Sequence, residues 1–218
     1  MIPLRAAAPI LARPHLLAPG ARAPEAQQRR SREKRERLEA AALELFGERG
    51  FAGASVGDIA RRARLAVGTF YQHFDSKRDL LIVLMDDLLD QVGRVKLLPT
   101  AGGDVRNALR GMLGEAFTGD RRSLGVYRAW EEATFSDPEI ARHAAAIRDW
   151  TRGRALAALQ FLHSLPRARQ DVDLATLADA MDTLFWHLLG RASRMPTREV
   201  DRWVDTTAHL LYCGVFDG

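Results

Sequence analysis

"VGTFYQHFDSK", Val67 to Lys77, decides how the rest of the chain is read. It sets a glycine inside a helical pattern, where a missing side chain costs about 1 kcal/mol relative to alanine. Phe70, Tyr71 and Phe74 follow closely, and the stretch ends on His73 and Lys77. On a helix over Val67–Phe74, Phe70 and Phe74 stand four apart and face inward. Thr69, Tyr71, Gln72 and His73 are then left outward with hydroxyl, amide and imidazole groups. Gly68 lets backbone come against a phosphate or a base edge. Ser76 caps the next helix with Asp79 three residues on, so Lys77 lies in a first turn where free amides already favour an anion. Donors converging from two helix starts describe a grip on a DNA backbone.

Just upstream, "SVGDIARRA" (Ser55–Ala63) reads as a short helix. Ser55 caps it with Asp58 as partner, and Val56, Ile59, Ala60 and Ala63 form the buried side. Two short helices joined by so tight a turn must cross steeply, which makes a helix-turn-helix. Further upstream, a helix starting near Ser31 places Leu38, Ala41, Ala42, Leu45 and Phe46 on one apolar stripe. Gly50 ends it in a left-handed cap. The mixture of Arg30, Arg32, Lys34, Arg35 and Arg37 with Glu33, Glu36 and Glu39 reads as its solvated face.

Charge is distributed to match. Residues 1–78 carry 15 Lys and Arg against 8 Asp and Glu, whereas the remainder carries 17 against 20. A basic amino-terminal third on a slightly acidic body fits a polyanion contact confined to one end. The first residues, "MIPLRAAAPILARPHLLAPGARAP", hold no acid and are rich in proline, alanine and arginine. They read as a disordered basic extension. No apolar run reaches the roughly 18 residues that a membrane helix needs, and no membrane partner is expected. One cysteine, Cys213, excludes an internal disulfide and fits a reducing compartment.

From Leu38 to Leu81 the sequence resembles the amino-terminal domain of TetR-family transcriptional regulators, in "AALELFGERGFAGASVGDIARRA" and "GTFYQHFDSKRDLL". The resemblance implies an all-α homodimer with a ligand-responsive carboxyl-terminal domain, acting on a palindromic operator in double-stranded DNA in the bacterial cytoplasm, associated with the nucleoid when bound. In that family the residues matching Ser55, Gly68, Thr69, Tyr71, His73 and Lys77 commonly contact DNA. Two positions depart from the pattern. Arg64 stands where the turn usually carries glycine, and Ala66 where a polar cap is usual; each change costs on the order of 1 kcal/mol. Arg64 becomes a candidate phosphate contact, and Val67 a candidate contact for a thymine methyl.

Periodicity stays helical through the rest of the chain. The expected organisation is an extension over 1–29, a DNA-binding domain over 30–78, and a ligand-binding and dimerisation domain over 79–218. Helices are expected at about 76–96, 104–117, 121–135, 138–165, 173–193 and 197–216. In the last two, Leu177, Met181, Leu184 and Leu188, then Val204, Thr207 and Leu211, form apolar stripes. Such stripes serve equally as core or interface. The resemblance favours an interface, because that family pairs its last two helices in a four-helix bundle. Aromatic residues of the middle helices, Phe117, Tyr127, Trp130, Phe135 and Trp150, are the candidates for a hydrophobic or aromatic effector, with Glu131 as an inward carboxylate beside them.

Two other classes compete. "DDLLD", with Asp86, Asp87 and Asp90, is a possible Mg²⁺ cluster for a diphosphate substrate, but the chain is short for such enzymes and holds no second metal motif. His209 and Cys213, four apart, are a possible half of a metal site. No nucleophile triad, phosphate loop or redox cysteine pair is present. The expectation is a DNA-binding repressor without cofactor, metal or catalytic residues.

Overall fold

The apolar stripe of the first helix is buried as its spacing requires. Leu38, Ala42, Leu45 and Phe46 are almost wholly inaccessible, and Ala41 is nearly so. The computed structural model describes residues 12–14, 16, 25–95, 104–118, 121–192 and 194–216. Among these, nine helices follow one another: α1 (Glu25–Arg49), α2 (Val56–Arg62), α3 (Val67–Tyr71), α4 (Lys77–Arg94), α5 (Val105–Thr118), α6 (Arg121–Thr134), α7 (Pro138–His163), α8 (Leu174–Ala192) and α9 (Thr197–Val215). The all-α architecture is the expected one. α1 begins earlier than its apolar pattern, at Glu25, where i,i+4 pairs such as Arg29–Glu33 and Arg32–Glu36 lie on an exposed helix.

Helix ends follow the anticipated chemistry. Gly50 has φ +74 and its amide bonds to Phe46 O at 3.0 Å, the left-handed stop. Asp104, Asp137 and Asp173 accept from first-turn amides of α5, α7 and α8.

The described residues fall into two compact units. One comprises 15–90 and 120–144, so α6 and the start of α7 join α1–α3 and most of α4. The other is built on 91–119 and 145–218, with α5 packed on α9. This division differs from the boundary expected at residue 78. Most of the expected extension, including residues 1–11 and 17–24, lies outside the described residues, and 25–29 belong to α1.

Candidate nucleic-acid interface and effector cavity

Phe70 and Phe74 anchor α3 from below, both buried, with ring centroids 5.6 Å apart. That anchoring turns the opposite face outward. Val67 is 45% exposed and Tyr71 56%, with Gly68 and Gln72 also exposed and Thr69 half-buried. Beyond its chain neighbours and the backbone of its own helix, a Cβ built on Gly68 meets no atom within 4 Å. Internal packing therefore gives no reason for the missing side chain, and the helix bears its cost in open space. α3 is also weakly capped: Ala66 makes no side-chain bond to its amides.

The turn before α3 is held from α1. Arg64 has φ 54, the left-handed conformation expected of a residue in the glycine position. The Arg37 guanidinium donates to Arg64 O at 3.2 Å and also to Ala63 O. Ser55 caps α2: its Oγ accepts from the Asp58 amide at 3.0 Å and donates to Asp58 Oδ2 at 2.7 Å. That bond is the main reason the Asp58 carboxyl lies below its usual range. His73 is half-buried, and burial, then the charges of Arg35 and Lys34, holds its imidazole below the ordinary value.

Lys77 has a different occupation from the phosphate contact expected of it. Its Nζ donates to Phe51 O at 2.6 Å and Ala54 O at 2.7 Å, and lies 4.3 Å from the centre of the Phe51 ring. The same loop is gripped from α6, where Glu132 accepts from the amides of Phe51 at 2.8 Å and Ala52 at 3.0 Å. The loop between α1 and α2 thus has its carbonyls held by a lysine and its amides by a carboxylate. Glu132 escaped sequence reading because nothing local marks a partner some 80 residues away. Several basic groups are likewise engaged: Arg62 pairs with Glu44 and Glu48 at 2.9 and 3.0 Å, Arg61 with Asp58, and Arg35 with Glu39 at 2.8 Å. Arg64 is exposed and makes no ion pair among the described residues.

The second unit contains a cavity bounded by α5, α7, α8, α9 and the end of α4. Its volume is about 100 Å³, far more than a single water requires. Its wall is largely Leu109, Met112, Leu113, Phe117, Leu159, Phe185 and similar apolar groups, with Thr151, Arg154, Asp182 and Thr207 among them. Trp186 donates to Asp182 Oδ1 at 3.1 Å and Thr151 Oγ1 at 3.3 Å. Arg154 donates to Val92 O and Val95 O, each at 2.9 Å, and to Gly93 O at 3.3 Å, closing the carbonyl end of α4.

Of the six expected effector residues, Phe117 lines this cavity. Trp150 is buried beneath Arg154, 4.9 Å from ring centre to guanidinium, and packs by Gly93 instead. Tyr127 and Trp130 are buried in the other unit. Glu131 is exposed and Phe135 is 89% exposed, so neither is an inward group. The helical register turns Glu131 outward: buried positions 126, 129, 130 and 133 define the inner face of α6. The expected interface residues also need correction. Met181, Leu184, Leu188, Thr207 and Leu211 line the cavity, Val204 is buried, and Leu177 is half-buried. Their stripe is the inner face of its own subunit. Asp87 is exposed on α4, with Asp86 and Asp90 half-buried; His209 and Cys213 lie side by side and exposed, Sγ 3.8 Å from the ring nitrogens. Among the described residues no three His, Cys, Asp or Glu side chains are grouped to hold a metal, and no helix is long and apolar enough to cross a membrane.

Two short helices joined by a tight turn, the second anchored by two phenylalanines and open on its outer face, have the arrangement of a helix-turn-helix. The family model described as "Bacterial regulatory proteins, tetR family" matches residues 38–84. Over 195 residues the chain is 28% identical to the HTH-type transcriptional regulator EthR of Mycobacterium tuberculosis (strain ATCC 25618 / H37Rv), covering 81% of this chain and 84% of that protein. It is 31% identical over 91 residues to the HTH-type transcriptional repressor KstR2 of Rhodococcus jostii (strain RHA1), covering 40% and 45%. The crystal structure of the TetR family transcriptional regulator PfmR from Thermus thermophilus shares the fold, with a TM-score of 0.67 at 23% identity over 84% of this chain and 98% of that one. Residues 38–84 thus match the TetR family of bacterial regulatory proteins, and most of the chain is similar in sequence or fold to transcriptional regulators.

Proposed function

We propose that this regulator is a repressor, binding a palindromic operator as a homodimer and released when a small, mainly apolar effector enters the α5–α7–α8–α9 cavity. The observation that carries the DNA reading is the outward face of α3. Val67, Gly68, Tyr71 and Gln72 are exposed and Thr69 half-buried, offering methyl, hydroxyl and amide groups and a bare glycine on one face. Arg64 adds a charge beside them, while Ser55, His73 and Lys77 support the helices that present this face. With Lys77 committed to loop carbonyls and its ammonium half-buried, its contribution to DNA affinity runs mainly through the loop it holds.

The homodimer uses the outer faces of α8 and α9. On α8, Thr176, Ala180, Thr183 and His187 recur at helical spacing and are exposed; on α9, Thr206, His209, Leu210 and Cys213 are exposed, Leu210 by 60%. Small side chains allow close helix approach, and Leu210 gives that face an apolar centre. Release is an equilibrium shift: the effector must prefer the DNA-free state, and DNA must weaken the effector by the same factor. α4 contributes residues both to the unit holding α3 and to the cavity wall, which makes it the element to watch. Selection of bound sequences from random duplex DNA tests this reading. Enrichment of two inverted half-sites is the expected result, and no enrichment over the random pool would overturn it.

A further inference from the structure

We infer that the effector is an apolar molecule ending in a hydrogen-bond-donating head, ammonium or hydroxyl, which Asp182 receives at the α7–α8 end of the cavity. The inference rests on the preceding reading of the cavity as the effector site and specifies the chemistry that site takes.

The wall is not uniform. α5 and α9 contribute Leu109, Met112, Leu113, Phe117, Leu211 and Val215, interrupted by Thr207. The polar groups otherwise belong to α7 and α8: Thr151, Arg154 and Asp182. Thr151 and Arg154 stand one turn apart on α7, and the Trp186 indole joins Thr151 to Asp182 by bonds of 3.3 and 3.1 Å. The cavity therefore has a polar pole and an apolar remainder, the shape of an amphiphile. At about 100 Å³ it approaches the roughly 150 Å³ of an apolar cavity that takes benzene, the scale of a small organic molecule.

The two charged groups at that pole are unequal. Arg154 already gives hydrogen bonds to Val92 O and Gly93 O in the last turn of α4, where the helix dipole is negative, and to Val95 O just beyond it, and it lies over the Trp150 ring. Its charge is answered within the protein. Asp182 is bonded to the Trp186 indole and the Thr151 hydroxyl and forms no ion pair among the described residues. Arg152, one turn from Arg148 on α7, pairs with Asp179 and not with Asp182. Burial pushes the Asp182 carboxyl above its usual range, opposed by its bonds to Thr151 and Trp186 and by Arg148. A carboxylate that is partly desolvated, and has acceptor capacity left over, gains most from a donor supplied by the ligand. The Phe117 and Phe185 rings, 5.5 Å apart on the same wall, suit either an apolar body or the flank of an ammonium group. A carboxylate head meets the opposite situation, since Asp182 repels it and Arg154 must first leave α4. The sequence carries one sign of this in "AMDTLFW", an acid set within an otherwise apolar stripe.

Four probes of one skeleton test the assignment: 4-phenylbutylamine, 4-phenylbutan-1-ol, butylbenzene and 4-phenylbutyrate. Their dissociation constants are measured by calorimetry on the full chain, on Asp182→Asn, and on Ala158→Phe, which fills the cavity. In the wild type the amine and alcohol bind about tenfold more tightly than butylbenzene, and the acid binds worst. Asp182→Asn, which keeps an acceptor for Trp186, removes most of the amine's advantage, part of the alcohol's, and leaves butylbenzene unchanged. The relative loss of amine and alcohol identifies which donor the site prefers. If the acid binds tightest, or the amine's advantage survives in Asp182→Asn, the head-group assignment is overturned while the cavity stands as the site. If no probe binds the wild type, or all bind Ala158→Phe equally well, the cavity reading falls and this inference with it.

Discussion

The unit that carries α3 and the unit that carries the cavity are built from the same material, amphipathic helices with apolar stripes, yet they use exposure in opposite ways. In the first, the groups that matter stand outside a small core, so an unusual residue on the outer face has no packing reason to be there. Gly68 is the example: its pro-side-chain space is empty. In the second, the groups that matter face inward, among residues that packing alone explains. A stripe such as Met181, Leu184 and Leu188 reads the same whether it closes a core, meets a second subunit or lines a cavity. Function that turns outward leaves a local signature in sequence, and function that turns inward is recognisable only once partners distant in sequence are brought together.

That difference explains what was legible. The inward anchors Phe70 and Phe74, the caps Ser55 and Ser76, and the left-handed Gly50 and Arg64 all follow from spacings of a few residues. The starts of α5, α7 and α8 are equally local, being marked by Asp104, Asp137 and Asp173. Glu132 is not separable from Glu131, its neighbour, by sequence alone, because the choice depends on the loop at Phe51 and Ala52. Tyr127 and Trp130 are aromatic and buried, as expected, but pack within the unit that holds α1.

The sharpest way to break the contrast lies on α9, where Leu210 faces out and Leu211 faces the cavity. Leu210→Glu is expected to remain helical and folded but to run as a monomer by light scattering, with operator affinity reduced about 100-fold or more. Leu211→Glu buries a charge and is expected to lower the melting temperature steeply, by several kcal/mol of stability. A dimeric Leu210→Glu protein beside a folded, monomeric Leu211→Glu protein would reverse the assignment of faces.

Next in size is the clamp on the loop between α1 and α2. Lys77→Ala and Glu132→Ala are each expected to cost about 1–2 kcal/mol of stability by thermal melting and to weaken operator binding together. The slope of log affinity against log salt separates bracing from phosphate contact. Loss of a whole phosphate contact lowers its magnitude by about 0.9, and a lysine held by Phe51 O and Ala54 O is expected to lower it by well under that. A full unit lost in Lys77→Ala, with stability unchanged, would restore it to the DNA backbone.

A smaller effect tests the turn itself. Arg64→Gly relieves a left-handed non-glycine residue and is expected to raise stability by about 1 kcal/mol. If Arg64 also touches a phosphate, the same change flattens the salt slope by about one contact. Greater stability with an unchanged slope would make the arginine a structural passenger at that turn.

The central claim is that α3 is shaped for DNA and not for the fold, and Gly68→Ala tests it most directly. Alanine is the better helix former by about 1 kcal/mol, and its methyl meets nothing within 4 Å outside its chain neighbours and its own helix backbone. The account predicts that Gly68→Ala melts at a higher temperature than the wild type while its operator affinity falls about tenfold or more. A variant that is less stable, or more stable with wild-type operator affinity, would contradict it.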